Sequence, residues 1–145
     1  FPRSHGDAIV LDDVDGYHDI ARWEDAETVP GLLVYRFDAP PFFVNAAYLR
    51  ERVLELVDAT DDVRWLVLNA EAWTYLDATA IDVLIRLHDE LDQRGIALCF
   101  ARLKGRQREI FEETGLTARI GPDRFFPTVR AAVAAFESAH AGDAR

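Results

Sequence analysis

Two short stretches combine residue types that could do chemistry. In Tyr75-Leu76-Asp77-Ala78-Thr79-Ala80-Ile81-Asp82, one hydroxyl stands between two carboxylates. Thr79 followed three residues later by Asp82 fits a capping box, in which a hydroxyl and a carboxylate satisfy the first free amides of a helix. Asp77 could accept such hydrogen bonds itself. The same residues could also form a phosphorylation or ligand site. A phosphate on Thr79 would meet free N–H groups at the positive end of a helix. Asp77 and Asp82 would repel that phosphate, whereas Asp77 could help a kinase position its nucleotide.

The second stretch is Arg102-Leu103-Lys104-Gly105-Arg106-Gln107-Arg108, four cations within seven residues of an otherwise acidic chain. The stretch follows an apolar strand and opens a helix. Cations at a helix N-terminus oppose its dipole by about 0.3–1 kcal/mol each when exposed. That misfit points to an anionic partner, with Arg102, Lys104 and Arg106 as candidate anion- or nucleotide-binding residues. Salt bridges to Glu109, Glu112 and Glu113 at helical spacing are the competing reading. A third feature, Pro40-Pro41-Phe42-Phe43-Val44-Asn45-Ala46, is a stiff apolar loop before a helix. Asn45 reads as its N-cap. Phe42 and Phe43 either pack into the core or, if exposed, form a docking loop with Asn45.

Other chemistry finds no support in the sequence. The only serines, Ser4 and Ser138, lie near the ends of the chain, where a nucleophile triad has no rigid seat. His5, His18, His88 and His140 show no metal-ligand spacing, and there is one cysteine, so no metal site is expected. No glycine-rich phosphate loop occurs. Asp12-Asp13 and Asp61-Asp62 read as solvated turns. Cys99 sits in the apolar run Ile96-Ala97-Leu98-Cys99-Phe100 and reads as a core thiol. No catalytic residue is assigned, and the chain is expected not to be an enzyme.

The elements that would position these residues alternate between strand and helix. Leu32 to Phe37 is short and β-rich, and Pro40 and Pro41 end it. Leu49, Val53, Leu56 and Val57 give residues 45–58 one apolar helical face. Arg64 to Asn69 and Ile96 to Phe100 are near-continuous apolar runs, as expected of strands buried on both faces of a parallel sheet. Ala80, Leu84, Leu87 and Leu91 line a helix over 79–93 that Gly95 closes. A third helix covers 105–114, and Arg119-Ile120-Gly121 is expected as a short edge strand. Pro127 opens the last helix at an N1-like position. Before residue 30, one strand is expected, either Ala8 to Leu11 or near Tyr17 to Ile20. The crossovers demand a mainly parallel sheet, with the turn at Asp77 and the basic cluster on one edge.

Bulk properties bound the function. The 145 residues suit one domain; half are hydrophobic and 29% are charged, enough for a core and for solubility. The net charge of −10 opposes nucleic acid and anionic lipid surfaces, so no nucleic-acid partner and no membrane insertion are expected. No apolar run approaches a bilayer span, and residues 1–6 lack a signal-peptide core. A lone cysteine suits a reducing compartment. The fragment therefore reads as cytosolic.

These motifs together resemble the STAS domain of SulP-type sulfate (anion) transporters. Pro30-Gly31-Leu32-Leu33-Val34-Tyr35-Arg36-Phe37-Asp38-Ala39 with Pro40 to Ala46 is similar to the first core strand and loop of that family. Val67-Leu68-Asn69 followed by Leu76-Asp77-Ala78-Thr79-Ala80 is similar to its signature strand and helix start. Gly95 to Phe100 and Asp123-Arg124-Phe125-Phe126-Pro127-Thr128 are similar to its later strand and last helix, and Asp15 to Ile20 to its first strand. The likeness covers residues 15–137. It implies an α/β fold, a mixed, mostly parallel β-sheet flanked by helices, also found in anti-sigma-factor antagonists. It implies residues 1–14 as linker or N-terminal extension, 15–138 as the STAS domain and 139–145 as a flexible tail. It further implies a non-catalytic regulatory domain on the cytoplasmic face of the cell membrane. Its partner would be the transmembrane domain of the same chain, with a regulatory protein or weakly bound GTP or ATP as further partners and no other cofactor. The antagonists carry Asp-Ser-Ser/Thr-Gly and are phosphorylated on the second hydroxyl residue. Asp77 and Thr79 match that acid and hydroxyl, whereas Ala78 and Ala80 replace the first hydroxyl and the glycine, and Asn69 stands where aspartate is common. A free, phosphorylation-switched antagonist and a nucleotide-binding domain with little hydrolysis are the alternatives.

Overall fold

The computed structural model describes residues 9–14, 17–22 and 29–141, with the first two segments defined by their backbone pairing. The elements in chain order are β1 (Ile9–Val14), β2 (Tyr17–Arg22), β3 (Leu32–Phe37), α1 (Ala46–Asp58), β4 (Trp65–Asn69), α2 (Ala78–Gln93), β5 (Ala97–Ala101), α3 (Gly105–Glu113), α4 (Leu116–Ile120), a 3-10 turn (Pro122–Arg124), β6 (Phe125–Phe126) and α5 (Val129–Ala139). They build one sheet of order β2-β1-β3-β4-β5-β6. Only β2 runs antiparallel, against β1; β1-β3, β3-β4, β4-β5 and β5-β6 are parallel. The mixed, mostly parallel α/β sheet expected from the strand–helix alternation is therefore present. Parallel pairing brings the chain segments after β3, β4, β5 and β6 to the same edge.

Both faces of the sheet are covered, which explains why its strands lack polar alternation. Leu33, Tyr35, Phe37, Leu66, Leu68, Leu98 and Phe100 belong to one core, shared with buried residues of α1 to α4. Leu32, Val34, Val67, Cys99 and Ala101 belong to a second, shared with Val129, Ala132, Val133 and Phe136 of α5. Gly31, at φ +92, lets the chain enter β3: a Cβ there would sit 3.1 Å from the Phe136 ring. Its carbonyl accepts from Arg64 N and Trp65 N, which fixes the start of β4.

Several sequence expectations need correction. Residues 119–121 form no strand. Gly115 adopts φ 84, and Leu116 and Ile120, four apart and both buried, make the short helix α4 instead. The edge strand is Phe125–Phe126, paired with Phe100 and Ala101. Pro127 lies outside α5 altogether: Thr128 is the N-cap, its hydroxyl accepting from Ala131 N at 3.0 Å. Two strands precede residue 30, where one was expected. Residues 1–8, 15–16 and 142–145, on which part of the expected 1–14 extension, part of the first-strand motif and most of the tail fall, lie outside the described residues, while 9–14 of that extension form β1.

Ion pairs tie the helices together at the surface. Arg50 of α1 donates Nε and Nη2 to the Glu90 carboxylate of α2, Arg94 reaches Asp58 at 2.7 Å, and Arg119 of α4 reaches Asp89 at 3.0 Å. The Arg50 hydrogen bond holds Glu90 below the usual carboxylate range. A lowered folded-state pKa means that this pair stabilises the fold at neutral pH and ceases to do so as pH falls through that value. Half-exposed, it contributes no more than about 1 kcal/mol.

Aromatic packing contributes more than these pairs. Phe100 is fully buried, meets Trp73 and Phe111 edge-on at 5.9 and 5.1 Å, and stacks on Phe125 at 5.5 Å. Phe100→Ala is expected to lower stability by about 3–5 kcal/mol, measured by urea unfolding of the 145-residue chain. A loss under about 1 kcal/mol would contradict this packing.

Candidate functional site

The shared edge of the sheet carries every candidate that the sequence singled out. Asp77 is its centre. Its backbone is extended (φ −111, ψ 176), so α2 starts at Ala78 and Asp77 is the N-cap. Asp77 Oδ1 accepts from Ala80 N at 2.9 Å. Asp77 Oδ2 accepts from Phe43 N at 2.8 Å, across 34 positions of chain. One carboxylate thus starts a helix and holds the loop between β3 and α1. The expected Thr79–Asp82 capping box is absent, because Thr79 falls inside the helix at its second position and is exposed.

Asn45 acts differently from a cap as well. It precedes α1 without a side-chain cap bond. Its Oδ1 accepts from Phe42 N at 2.9 Å and its Nδ2 donates to Pro40 O at 3.1 Å. Both bonds turn back into the loop and set its shape. Phe42 is half-buried with its ring 5.7 Å from that of Phe43, edge to face. Phe43 and Val44 are each 67% exposed, Tyr48 on the first turns of α1 is 41% exposed and Tyr75 is 55% exposed. Val44 and Tyr48, four residues apart, and Tyr75, two residues before the Asp77 cap, are further exposed apolar residues that sequence reasoning did not single out as a docking surface. The position of Tyr75 relative to Phe43 depends on the Asp77 bridge, which no local pattern encodes.

The loop from β4 to α2 is anchored from below. Trp73 is buried and donates Nε1–H to Phe37 O at 3.1 Å, so it links the ends of β3 and β4. Asn69 Oδ1 accepts from Glu71 N at 3.1 Å. Ala70 N donates to Ala101 O at 2.8 Å. The Asp77 turn therefore stands on a well-fastened base.

The basic cluster lies further along the same edge, and its first three cations are engaged. Arg102 sits in the left-handed region (φ 64), unusual for a non-glycine residue, and turns the chain out of β5. Its guanidinium is 3.9 Å from the Glu71 carboxylate, and Lys104 Nζ donates to Glu71 O at 3.3 Å. Arg106 pairs with Glu109 at 3.1 Å and Glu113 at 3.8 Å. The local salt bridging weighed from sequence is thus present at Glu109 and Glu113. An anion arriving here competes with those acids.

Burial pushes the Cys99 thiol up to about 12, which keeps it protonated at neutral pH. Among the described residues, no group of three or more His, Cys, Asp or Glu is placed to hold a metal ion, and no helix is long and apolar enough to cross a membrane.

The family model of the STAS domain matches residues 25–132. The chain belongs to the STAS domain family. A protein of Mycobacterium tuberculosis named as a probable sulfate transporter is 45% identical over 124 residues, which are 85% of this chain and 22% of that protein. The chain thus spans about a fifth of the length of such relatives. In structure, this STAS domain is similar to the SulP transporter STAS domain of Vibrio cholerae, with a TM-score of 0.66 at 24% identity, over 79% of this chain and 88% of that one. It is also similar to part of the murine Solute Carrier 26 member A9 anion transporter, with a TM-score of 0.71 at 15% identity, over 92% of this chain and 22% of that one. At these identities the two structures attest the fold.

The double role of Asp77 is testable. Asp77→Ala removes both acceptors and is expected to cost about 1–2 kcal/mol in urea unfolding. Asp77→Asn keeps a single acceptor oxygen and is expected to fall between that variant and the wild type. Equal stability of all three would contradict the bridge.

Proposed function

We propose that this STAS domain is a non-catalytic regulatory module of an anion transporter. It lies on the cytoplasmic face of the membrane, tethered to the transport unit, and docks through the edge around Asp77. The observation that supports this reading most is the set of exposed apolar side chains Phe43, Val44 and Tyr75, on loops that Asp77, Asn45 and Trp73 hold in place, and Tyr48 at the start of α1. Exposed aromatic residues on a rigid base suit a contact surface, since little conformational entropy is lost when a partner covers them. Thr79, exposed beside this surface, is where a phosphate would change the contact by adding charge. Sulfate is the anion suggested by the names of the relatives.

A non-enzymatic role fits the chemistry at hand. The one thiol is buried and protonated, Arg102 and Arg106 pair with acids of their own chain, and Lys104 donates to a backbone carbonyl. Binding to a partner needs none of these groups to react.

The test uses the full-length transporter reconstituted in vesicles, with Phe43→Asp and Tyr75→Asp introduced together. Sulfate uptake is expected to change by at least about threefold, in line with the loss of a contact hot spot. The isolated variant domain should unfold within about 0.5 kcal/mol of the wild type, as surface substitutions do. Unchanged uptake with the doubly substituted surface would overturn the docking role.

A further inference from the structure

We draw no further inference here: the strongest candidate, the exposed apolar side chains Phe43, Val44 and Tyr75 on the loops after β3 and β4 with Tyr48 at the start of α1, belongs to the docking site already described, and nothing in the structure shows what covers it.

Discussion

One carboxylate joins two loops that the sequence keeps far apart. Asp77 satisfies the first turn of α2 with one oxygen and the loop before α1 with the other. It can do so only because β3 and β4 are parallel neighbours, which brings their C-terminal ends side by side. Trp73 reinforces the same junction from the core, and Asn45 shapes the loop from within. Remove the bridge and Phe43 and Val44 lose their fixed position relative to Tyr75. The apolar surface would still exist, but as a mobile loop, and its entropy would count against any partner.

The sheet imposes a second constraint. Its central strands are buried on both faces, so α5 must cover what α1 to α4 leave open. The loops after β3, β4 and β5 gather at one edge of the sheet. The Asp77 turn stands at the β3–β4 end and the 102–108 cations follow β5. Arg102 pairs with the Glu71 carboxylate and Lys104 donates to the Glu71 carbonyl, which ties the loop after β5 to the loop after β4.

Much of this was legible in the sequence, for identifiable reasons. The strands at Leu32 to Phe37, Trp65 to Asn69 and Ala97 to Ala101 are apolar throughout, and only a sheet covered on both faces explains that. The helices α1 and α2 announced themselves by periodicity. The placement of the candidate sites was legible too, since parallel strands must end together. The roles of individual side chains were not. Thr79 and Asn45 both fit local capping patterns, yet the helix starts two residues earlier than a Thr79 cap needs, and the Asn45 side chain bonds within its own loop instead. Arg119 to Gly121 looked like an edge strand because Ile120 is apolar between polar neighbours; its burial partner is Leu116, a relation with helical spacing. The bond from Phe43 to Asp77 is tertiary, and no window of sequence contains both members.

The central claim is that Asp77 makes the β3–α1 loop and the first turn of α2 one rigid unit. Native-state amide hydrogen exchange of the 145-residue chain tests it directly, read at Phe43 and Ala80. The account predicts that both amides are protected in the wild type and that Asp77→Ala releases them together, while amides of the central strand β4 keep their protection. A Phe43 amide that exchanges at the rate of a free peptide in the wild type, beside a protected Ala80, would contradict it.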